Sequence, residues 1–244
     1  LTGAMVSIKD SKLKDMTTPS VSNLLNGKAP GVYVSPGSGQ PGSGAAVVIR
    51  GQATLNGNTR PLWVIDGVIV GDDPGQLNPQ DVESLTVLKD AASTAIYGSA
   101  GANGVIVVTT KSSRAGKIKV AVSIKSGVST LSNGNLHMMT GSELYDYFAS
   151  TQNASSIKFD RWKPELRNDN FDWWKLATRT GLTQDYNITL QGGSETLNSM
   201  FSVNYYNDEG AVKGFDYQRY NFRLKTNYKP LSWLNIKPSV SGSM

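Results

Sequence analysis

The sequence predicts two parts, an α+β region followed by antiparallel β-strands that suit a transmembrane β-barrel. Three observations support this division. Residues 1–116 hold 3 of the 21 aromatic residues and 16 of the 25 glycines, so the composition changes near Gly116. The first region mixes short helix signals with apolar runs, as α+β domains do. The second region repeats a two-residue alternation of apolar and polar side chains, which is typical of strands with one apolar face.

The composition argues against several classes of function. The net charge of +5 comes from cations spread singly along the chain, whereas nucleic-acid binders cluster them on one face, so we predict no nucleic-acid partner. The chain has no cysteine and one histidine, His137, which leaves no thiolate metal site and little room for a Ser-His-Asp arrangement. We therefore predict no catalytic residues, no metal site and no cofactor.

The first region begins with a short strand in "AMVSIK" and a helix between Ser20 and Gly27. The Pro, Gly, Ser and Gln residues of "PGSGQPGSG" then predict a loop, because they offer no side chains for a core. "AAVVIRG" predicts a buried strand that ends at Arg50. A buried arginine needs a carboxylate partner, and none is adjacent in sequence, so we expect that partner elsewhere in the fold.

"PLWVIDGVIV" places two apolar arms around Asp66 and Gly67. Asp-Gly is a preferred dipeptide of two-residue type I′ hairpin turns, because both central residues need a positive φ. The pattern therefore predicts a β-hairpin. It also favours Asp66 as a turn residue over Asp66 as a catalytic acid.

Three glycines in "VLKDAASTAIYGSAGANGVIVVTTK" raise the possibility of a phosphate-binding loop. Phosphate loops run from strand to glycines to helix, because the helix N-terminus must face the anion. Here a helix capped by Asp90 comes first, then the glycines, then an apolar run. We therefore interpret Gly98 as the residue that closes the helix, and "GVIVVTTK" as a central buried strand.

The second region contains five candidate strands of about 9 to 11 residues, the length of a tilted transmembrane strand. In "YNFRLKTNY", Phe222 and Leu224 lie on one face, and Asn221 and Arg223 lie on the other. The same alternation occurs in "KIKVAVSIK", "YNITLQ", "FSVNY" and "LNIKPSV". Each segment therefore has one apolar face and one polar face.

A soluble antiparallel sheet would also alternate, so the pattern alone leaves two interpretations open. A membrane barrel is favoured by the charged polar face and by aromatic residues near the strand ends, which resemble interfacial girdles. These residues are Tyr186, Tyr205, Tyr206, Tyr217, Tyr228 and Trp233. The connections also alternate in length, since "GGSET" and "KPLS" are short whereas "NDEGAVKGFD" and residues 128–180 are long. Short periplasmic turns and long outer loops have this arrangement.

The longest connection contains two motifs of interest. "TGSELYDYFAS" predicts a helix whose stripe of Leu144, Tyr147 and Phe148 would pack against its own sheet. "FDWWKLATRTG" is unusually rich in tryptophan. If exposed, it could stack on sugars or face a partner; if buried, it would form the core of the loop.

Several long motifs of the first region match one family in order and spacing: "LLNGKAPGVYVS", "VVIRG", "PLWVIDGVIV" and "NPQDVESLTVLKDAASTAIYGSAGANGVIVVTTK". In these motifs the chain resembles the plug of TonB-dependent outer-membrane receptors of the SusC/RagA branch of Bacteroidetes. "TGLTQDYNITLQGG" and "YYNDEGAVKGFDYQRYNFRLKTNY" are similar to the first barrel strands of that branch. The resemblance implies a plug domain at residues 1–116 and the N-terminal strands and loops of the barrel at residues 117–244.

The resemblance also implies a function. It implies a plug inside a large barrel in the Gram-negative outer membrane, and TonB-driven import of oligosaccharides or peptides with a SusD-like lipoprotein. TonB would bind through a segment absent from this chain, and only about five strands follow the plug, so we expect a fragment of a longer receptor. Arg50 resembles a plug arginine that pairs with barrel carboxylates. The sequence assigns no substrate-binding residues. The alternative is a non-transporting module with a soluble β-sheet that captures a ligand or partner.

Overall fold

The computed structural model describes residues 5–13, 17–35, 37–51, 57–132, 134, 137–152 and 167–244. The strands are, in chain order, β1 (Met5–Lys9), β2 (Val32–Ser35), β3 (Ala46–Ile49), β4 (Leu62–Ile65), β5 (Val68–Gly71), β6 (Val82–Leu88), β7 (Val105–Thr110), β8 (Gly116–Ser129), β9 (Gly181–Gly193), β10 (Leu197–Glu209), β11 (Asp216–Leu231), β12 (Leu234–Ile236) and β13 (Ser239–Ser243). The α-helices are α1 (Ala91–Thr94), α2 (Gly141–Gln152) and α3 (Trp173–Ala177). Segments of 3-10 helix cover Asp10–Lys12, Val21–Leu25, Pro79–Asp81 and Ala95–Gly101.

The first region forms a five-stranded sheet in the order β1-β6-β7-β4-β5. Strand β7 is the centre of this sheet, antiparallel to β6 and parallel to β4, as its continuous apolar sequence predicts. Leu85, Ile106 and Val108 are fully buried there, with Trp63 of β4 and Leu24 of the 3-10 helix in the same core. Strands β2 and β3 form a separate antiparallel pair beside this core.

The predicted cap of α1 is present, because Asp90 Oδ1 accepts a hydrogen bond from the backbone N–H of Ser93 at 2.7 Å. The first helical segment ends at Gly98, as the sequence predicted. Gly98 has φ 60° and ψ −148°, a conformation almost confined to glycine, and 3-10 turns continue through Gly101. Gly98 therefore ends the first helical segment, and a second short segment follows it across a kink.

The second region forms an antiparallel sheet in the order β12-β11-β10-β9-β8, with β13 also paired to β11. Strands β8 to β11 have 13 to 16 residues and exceed the predicted lengths. The last predicted strand is interrupted between β12 and β13, where Pro238 lacks the N–H needed for the ladder. The change from the first sheet to the second falls between Thr110 and Gly116.

The two faces of the second sheet have the reverse of the usual burial. Its buried polar residues include Asp185, Asn187, Asn198, Ser202, Asn204, Arg219, Asn221 and Arg223. Its exposed apolar residues include Ile118, Val120, Ile188, Leu190, Phe201, Val203, Phe222 and Leu224. A soluble antiparallel sheet buries its apolar face and exposes its polar face. The observed arrangement suits a wall whose outer face meets hydrocarbon.

The predicted aromatic residues divide between the two faces. Tyr186, Tyr205 and Tyr220 are cross-strand neighbours on the apolar face, with ring centroids 6.1 Å and 4.9 Å apart along the row. Tyr206 is instead buried on the polar face, where its ring lies near that of Tyr217. Neither Tyr206 nor Tyr217 therefore belongs to an outer girdle, because both side chains lie on the polar face and not on the apolar face that carries Tyr205 and Tyr220.

Helix α2 begins with a capping box. Thr140 Oγ1 accepts a hydrogen bond from the N–H of Glu143, and Glu143 Oε2 accepts one from the N–H of Thr140. The prediction that this helix packs its apolar stripe on the sheet is wrong for Leu144 and Tyr147, which are both exposed. Among the described residues, no helix combines the length and the hydropathy that a membrane-spanning helix requires.

Candidate functional site

The first sheet and its loops rest against the polar face of the second sheet. Direct hydrogen bonds cross this interface from Asn78 Nδ2 to Asn187 Oδ1 (3.1 Å), Gln80 Nε2 to Asp185 Oδ2 (2.6 Å), Ser202 Oγ to Asp81 Oδ1 (2.9 Å), Asn221 Nδ2 to the carbonyl of Gln76 (2.8 Å) and Lys225 Nζ to Asp66 Oδ2 (2.8 Å). The polar face was expected to line water. It is instead covered by the first region, which supplies hydrogen-bond partners for its polar side chains.

Asp81 lies at the centre of this interface. The local sequence positions it, because Asn78 caps the Pro79–Asp81 turn by accepting a hydrogen bond from the N–H of Gln80. Asp81 is only 3% exposed, and its carboxylate accepts hydrogen bonds from Ser202 Oγ at 2.9 Å and Arg223 Nε at 3.3 Å. Burial raises the pKa of Asp81, and the contacts with Ser202 and Arg223 offset this only in part.

Asp66 forms a second charged contact with the same wall strand, β11, through Lys225. The predicted two-residue turn is present, with φ 50° at Asp66 and 87° at Gly67 between the paired residues Ile65 and Val68. The Asp66 carboxylate also accepts hydrogen bonds from the N–H and Oγ1 of Thr110, at 2.9 Å and 2.7 Å. Asp66 is therefore a turn residue and a contact residue at once.

The pKa of Asp66 has the opposite direction from that of Asp81. Burial opposes ionisation of Asp66, but hydrogen bonds from Lys225 and Thr110 outweigh it and hold the pKa below the usual value.

Asp66, Asp81, Ser202, Arg223 and Lys225 are called the anchor cluster below. Arg223 and Lys225 lie two positions apart on β11, so both side chains point to the same face.

Arg50 lies outside the anchor cluster. It is exposed at the end of β3, with φ 62°, and its N–H donates to the carbonyl of Gly31 at 3.0 Å. It does not end a fully buried strand as expected. Among the described residues, no carboxylate of β8 to β13 lies within ion-pair distance of Arg50, so its pairing with a barrel carboxylate stays a prediction. The ion pairs that do cross the interface have carboxylates in the first region and cations in the second.

Two cavities flank the anchor cluster. One of about 890 Å³ lies between the β4–β5 hairpin and strands β11 and β13, and Val68, Ser239 and Ser241 are among its lining residues. The other, of about 1000 Å³, lies between the first sheet and strands β8 and β9, where Lys111 and Gln191 line it. The first region is thus hydrogen-bonded to the wall at the anchor cluster, and a cavity separates the two on each side of this cluster.

The long connections meet at one end of the second sheet. The N–H of Arg179 donates to the carbonyl of Ala211, and the N–H of Lys213 donates to the carbonyl of Ala177, each at 2.9 Å. The loop of the first region at residues 37–44 reaches the same end, since Gly42 lies too close to the ring of Tyr217 for a Cβ to fit. This end therefore brings together one loop of the first region and two loops of the second.

The sequence did not identify Asp81, Ser202, Arg223 or Lys225 as interface residues. The sequence does show polar side chains at every second position of these strands, but that polar face was predicted to face water. Across the part of the chain that the structure describes, no group of three His, Asp or Glu residues is arranged to hold a metal ion. His137 is exposed and its Nε2 lies 3.1 Å from Glu143 Oε2.

Comparisons with known proteins agree with this architecture. The family model of the TonB-dependent receptor plug domain matches residues 1–105. The chain is 34% identical over 239 residues to the TonB-dependent receptor SusC of Bacteroides thetaiotaomicron, covering 94% of this chain and 23% of that protein. It is 35% identical over 229 residues to the TonB-dependent receptor P26 of Formosa agariphila, covering 91% of this chain and 23% of that protein.

A solved structure extends the comparison to the whole fold. The RagAB peptide importer in its closed-closed state superposes with a TM-score of 0.86 at 27% identity, covering 100% of this chain and 30% of that chain. The chain thus spans about a quarter of the length of the curated relatives it matches. The superposition includes both the plug and the wall strands, since it covers the whole chain. The chain is therefore the plug domain and the first barrel strands of a TonB-dependent receptor of the SusC and RagA type.

Proposed function

We propose that the receptor containing this chain imports oligosaccharide or peptide nutrients across the Gram-negative outer membrane, with energy from TonB and with a SusD-like lipoprotein as partner. TonB would act through a segment outside this chain. The similar RagAB complex is a peptide importer, which supports import as the activity. We propose no catalytic role, because the matched relatives are receptors.

The single observation that supports this proposal best is the inverted second sheet with a plug bound to its polar face. Phe222 is exposed while its neighbours Asn221 and Arg223 are buried against the plug. An apolar outer face fits hydrocarbon, and a plug on the inner face closes the pore. The anchor cluster would then keep the plug seated until energy from TonB displaces it.

We further propose that Arg50 pairs with a carboxylate elsewhere in the barrel. Arg50 is exposed, and among the described residues it forms no ion pair with a carboxylate of strands β8 to β11. An arginine paired on another side of the plug would complement Asp66 and Asp81, which hold the plug to β11. The plug would then be held by charges of both signs.

The proposed function is tested by uptake. Cells expressing the full-length receptor with its partner lipoprotein are offered labelled oligosaccharides and peptides, with and without a functional TonB. TonB-dependent accumulation of either class is the expected result. Binding to cells without accumulation would favour the second candidate, a module that captures ligand and does not transport it.

A further inference from the structure

Two arginines of β11 reach from the wall towards the plug, and they differ in their partners. Arg219 and Arg223 lie four positions apart, so both side chains point to the polar face, where they are 2% and 8% exposed. Arg223 donates a hydrogen bond to the carboxylate of Asp81 in the plug. Among the described residues, no carboxylate lies within ion-pair distance of Arg219. Arg219 is therefore a buried cation without an adjacent anion.

The contacts that Arg219 does make are with neutral groups. Its Nη1 donates a hydrogen bond to the carbonyl of Pro19 in the plug, and its guanidinium carbon lies 5.4 Å from the ring centroid of Tyr206 on β10. Its Nε is buried and has no hydrogen-bond partner in the part of the chain that the structure describes. A cation–π contact and one hydrogen bond recover only part of the free energy that an ion loses on leaving water. The seated plug therefore holds Arg219 in an unfavourable environment.

Two acids lie near Arg219 on the same face of the wall, but both are bonded to other groups. Asp185 and Arg219 are cross-strand neighbours of Tyr206 on its two sides, so about 10 Å separates them. The Asp185 carboxylate accepts a hydrogen bond from Gln80 Nε2 of the plug at 2.6 Å. Asp208, two positions from Tyr206, accepts one from a threonine of β9 at 2.6 Å. At about 10 Å, two charges attract each other less than half as strongly as they do in contact.

Displacement of the plug changes the free energy of the two arginines in opposite directions. Arg219 loses one neutral carbonyl and regains its hydration, whereas Arg223 loses the carboxylate of Asp81. We propose that Arg219 is a release element, a wall residue whose buried charge biases the plug towards leaving its seat. This inference rests on the proposed function, in which TonB displaces the plug. The anchor cluster holds the plug, and Arg219 reduces the work that its displacement requires.

Other roles for Arg219 fit the structure less well. Because only 2% of its surface is exposed, further barrel strands have almost no part of this side chain to contact. A buried water molecule could accept a hydrogen bond from Nε, but it would carry no compensating charge. A seat that served stability alone would be better filled by an apolar residue, since exchanging buried ions for apolar side chains of similar volume often stabilises proteins.

Hydrogen exchange in the purified full-length receptor in detergent tests the proposal. The first readout is the exchange of backbone N–H groups at residues 20–26, which follow Pro19 and include the hydrogen-bonded N–H groups of Ser22 and Asn23. Arg219→Met removes the charge and keeps an unbranched side chain, so it should slow this exchange about tenfold or more. Arg219→Gln should also slow it, whereas Arg219→Lys keeps the charge and should exchange at least as fast as wild type.

The matched control is Arg223→Met, the same replacement on the same face of the same strand. The second readout is the exchange of the N–H groups of Gln80 and Asp81, which are hydrogen-bonded to Asn78. Arg223→Met should accelerate this exchange about tenfold or more, because it leaves the Asp81 carboxylate without its guanidinium partner. Opposite effects of the two methionine variants are expected only if Arg219 opposes seating and Arg223 supports it.

Several results would overturn the release element. They are unchanged or faster exchange at residues 20–26 in Arg219→Met, equal slowing by Arg219→Lys, and slower exchange in both methionine variants. Failure of both Arg219→Met and Arg219→Gln to assemble would also overturn it, because each is expected to stabilise the seat.

Uptake in cells separates this inference from the proposed function. If the receptor imports an oligosaccharide or a peptide but Arg219→Met does not slow exchange, the release element is overturned and the import function stands. If the receptor with its lipoprotein imports neither class while Arg219→Met slows exchange, the import function is overturned. The effect of the Arg219 charge on the seat then stands by itself.

Discussion

Asp81 Oδ2 lies 3.3 Å from Arg223 Nε, although the two residues are 142 positions apart in the chain. Asp81 belongs to the plug and Arg223 to the wall, and both are almost completely buried. Ser202 donates a hydrogen bond to the other oxygen of the same carboxylate. One plug carboxylate thus connects two neighbouring strands of the wall.

A double-mutant cycle should show that Asp81 and Arg223 are coupled. Asp81→Leu or Arg223→Met alone should cost about 3–5 kcal/mol, because each leaves an uncompensated buried charge. The two changes together should cost much less than the sum, because neither charge remains. Urea unfolding of the full-length receptor in detergent measures all four variants. Additive costs would contradict the coupling.

The exposed pair of Arg60 and Asp72 provides the control for this cycle. Arg60 Nη1 lies 3.8 Å from Asp72 Oδ2, and about half of each side chain is exposed. Exposed pairs of this kind contribute about 0–1 kcal/mol. Replacing either residue should therefore leave the unfolding free energy almost unchanged.

Asp66 should make the seating of the plug sensitive to acid. Its folded-state pKa lies below the usual value of about 3.9, so its charged form stabilises the fold fully above about pH 4. This stability is lost as the pH falls through the lowered pKa. Asp66→Asn should therefore lower the Tm of the full-length receptor at pH 7, and the difference from wild type should shrink below pH 4. Asp81, whose pKa is raised, contributes with the opposite sign. A Tm difference for Asp66→Asn that persists unchanged at pH 3 would contradict the assignment.

The apolar face of β11 should meet lipid. Phe222→Arg should cost about 2–4 kcal/mol if Phe222 lies near the bilayer midplane. Asn221→Arg is not the harmless control that a water-filled lumen would suggest, because Asn221 is buried and donates to the Gln76 carbonyl. Chain-brominated lipids give the cleaner measurement. They should quench a tryptophan placed at Phe222 and spare one at Asn221, and equal quenching at both would contradict the orientation.

The connections should have opposite exposures in intact cells. The loop at residues 210–215 contacts the segment after α3, whereas residues 194–196 form the tight turn between β9 and β10. An epitope inserted at Gly214, where a Cβ would meet no atom within 4 Å, should be labelled by antibody outside the cell. An epitope at Glu195 should be labelled only after the outer membrane is opened. The reverse pattern would invert the topology.

Arg50 should contribute to the seal of the pore and not to catalysis. If Arg50 pairs with a barrel carboxylate, Arg50→Ala removes one contact that holds the plug, and small solutes should leak through the receptor. Antibiotic sensitivity of cells expressing the variant measures this leak, and Arg50→Lys should leak less because it keeps the charge. Unchanged permeability with loss of import would instead indicate a direct role in handling substrate.

Local features of this fold could be predicted from the sequence because their causes are local. The Asp66–Gly67 turn follows from the positive φ that the dipeptide tolerates, and the Asp90 cap follows from a side chain that reaches the next N–H groups. The alternation of Phe222 with Arg223 fixed which side chains share a face. These patterns involve residues only a few positions apart.

The sequence could not predict which groups meet across the interface. Asn221 and Arg223 lie on the polar face of β11, and such a face could be covered by water or by a plug. The alternation therefore does not show which of the two covers it. The stripe of Leu144 and Tyr147 led to a wrong prediction because helical spacing shows an apolar face but not whether anything covers it. The exposed state of Trp173 was similarly left open. Each of these outcomes depends on pairings over long sequence separations.

The separation between Asp81 and Arg223 also has a consequence for the order of folding. The apolar core of the plug uses only residues up to Val108, so it can form before any wall strand exists. The partners of Asp81 lie on β10 and β11, and closing so long a loop is entropically costly and slow. We therefore expect a folded plug to wait, still unseated, until β11 has been synthesised and delivered to the wall. During that interval the Asp81 carboxylate would be solvated by water, because Ser202 and Arg223 are not yet beside it.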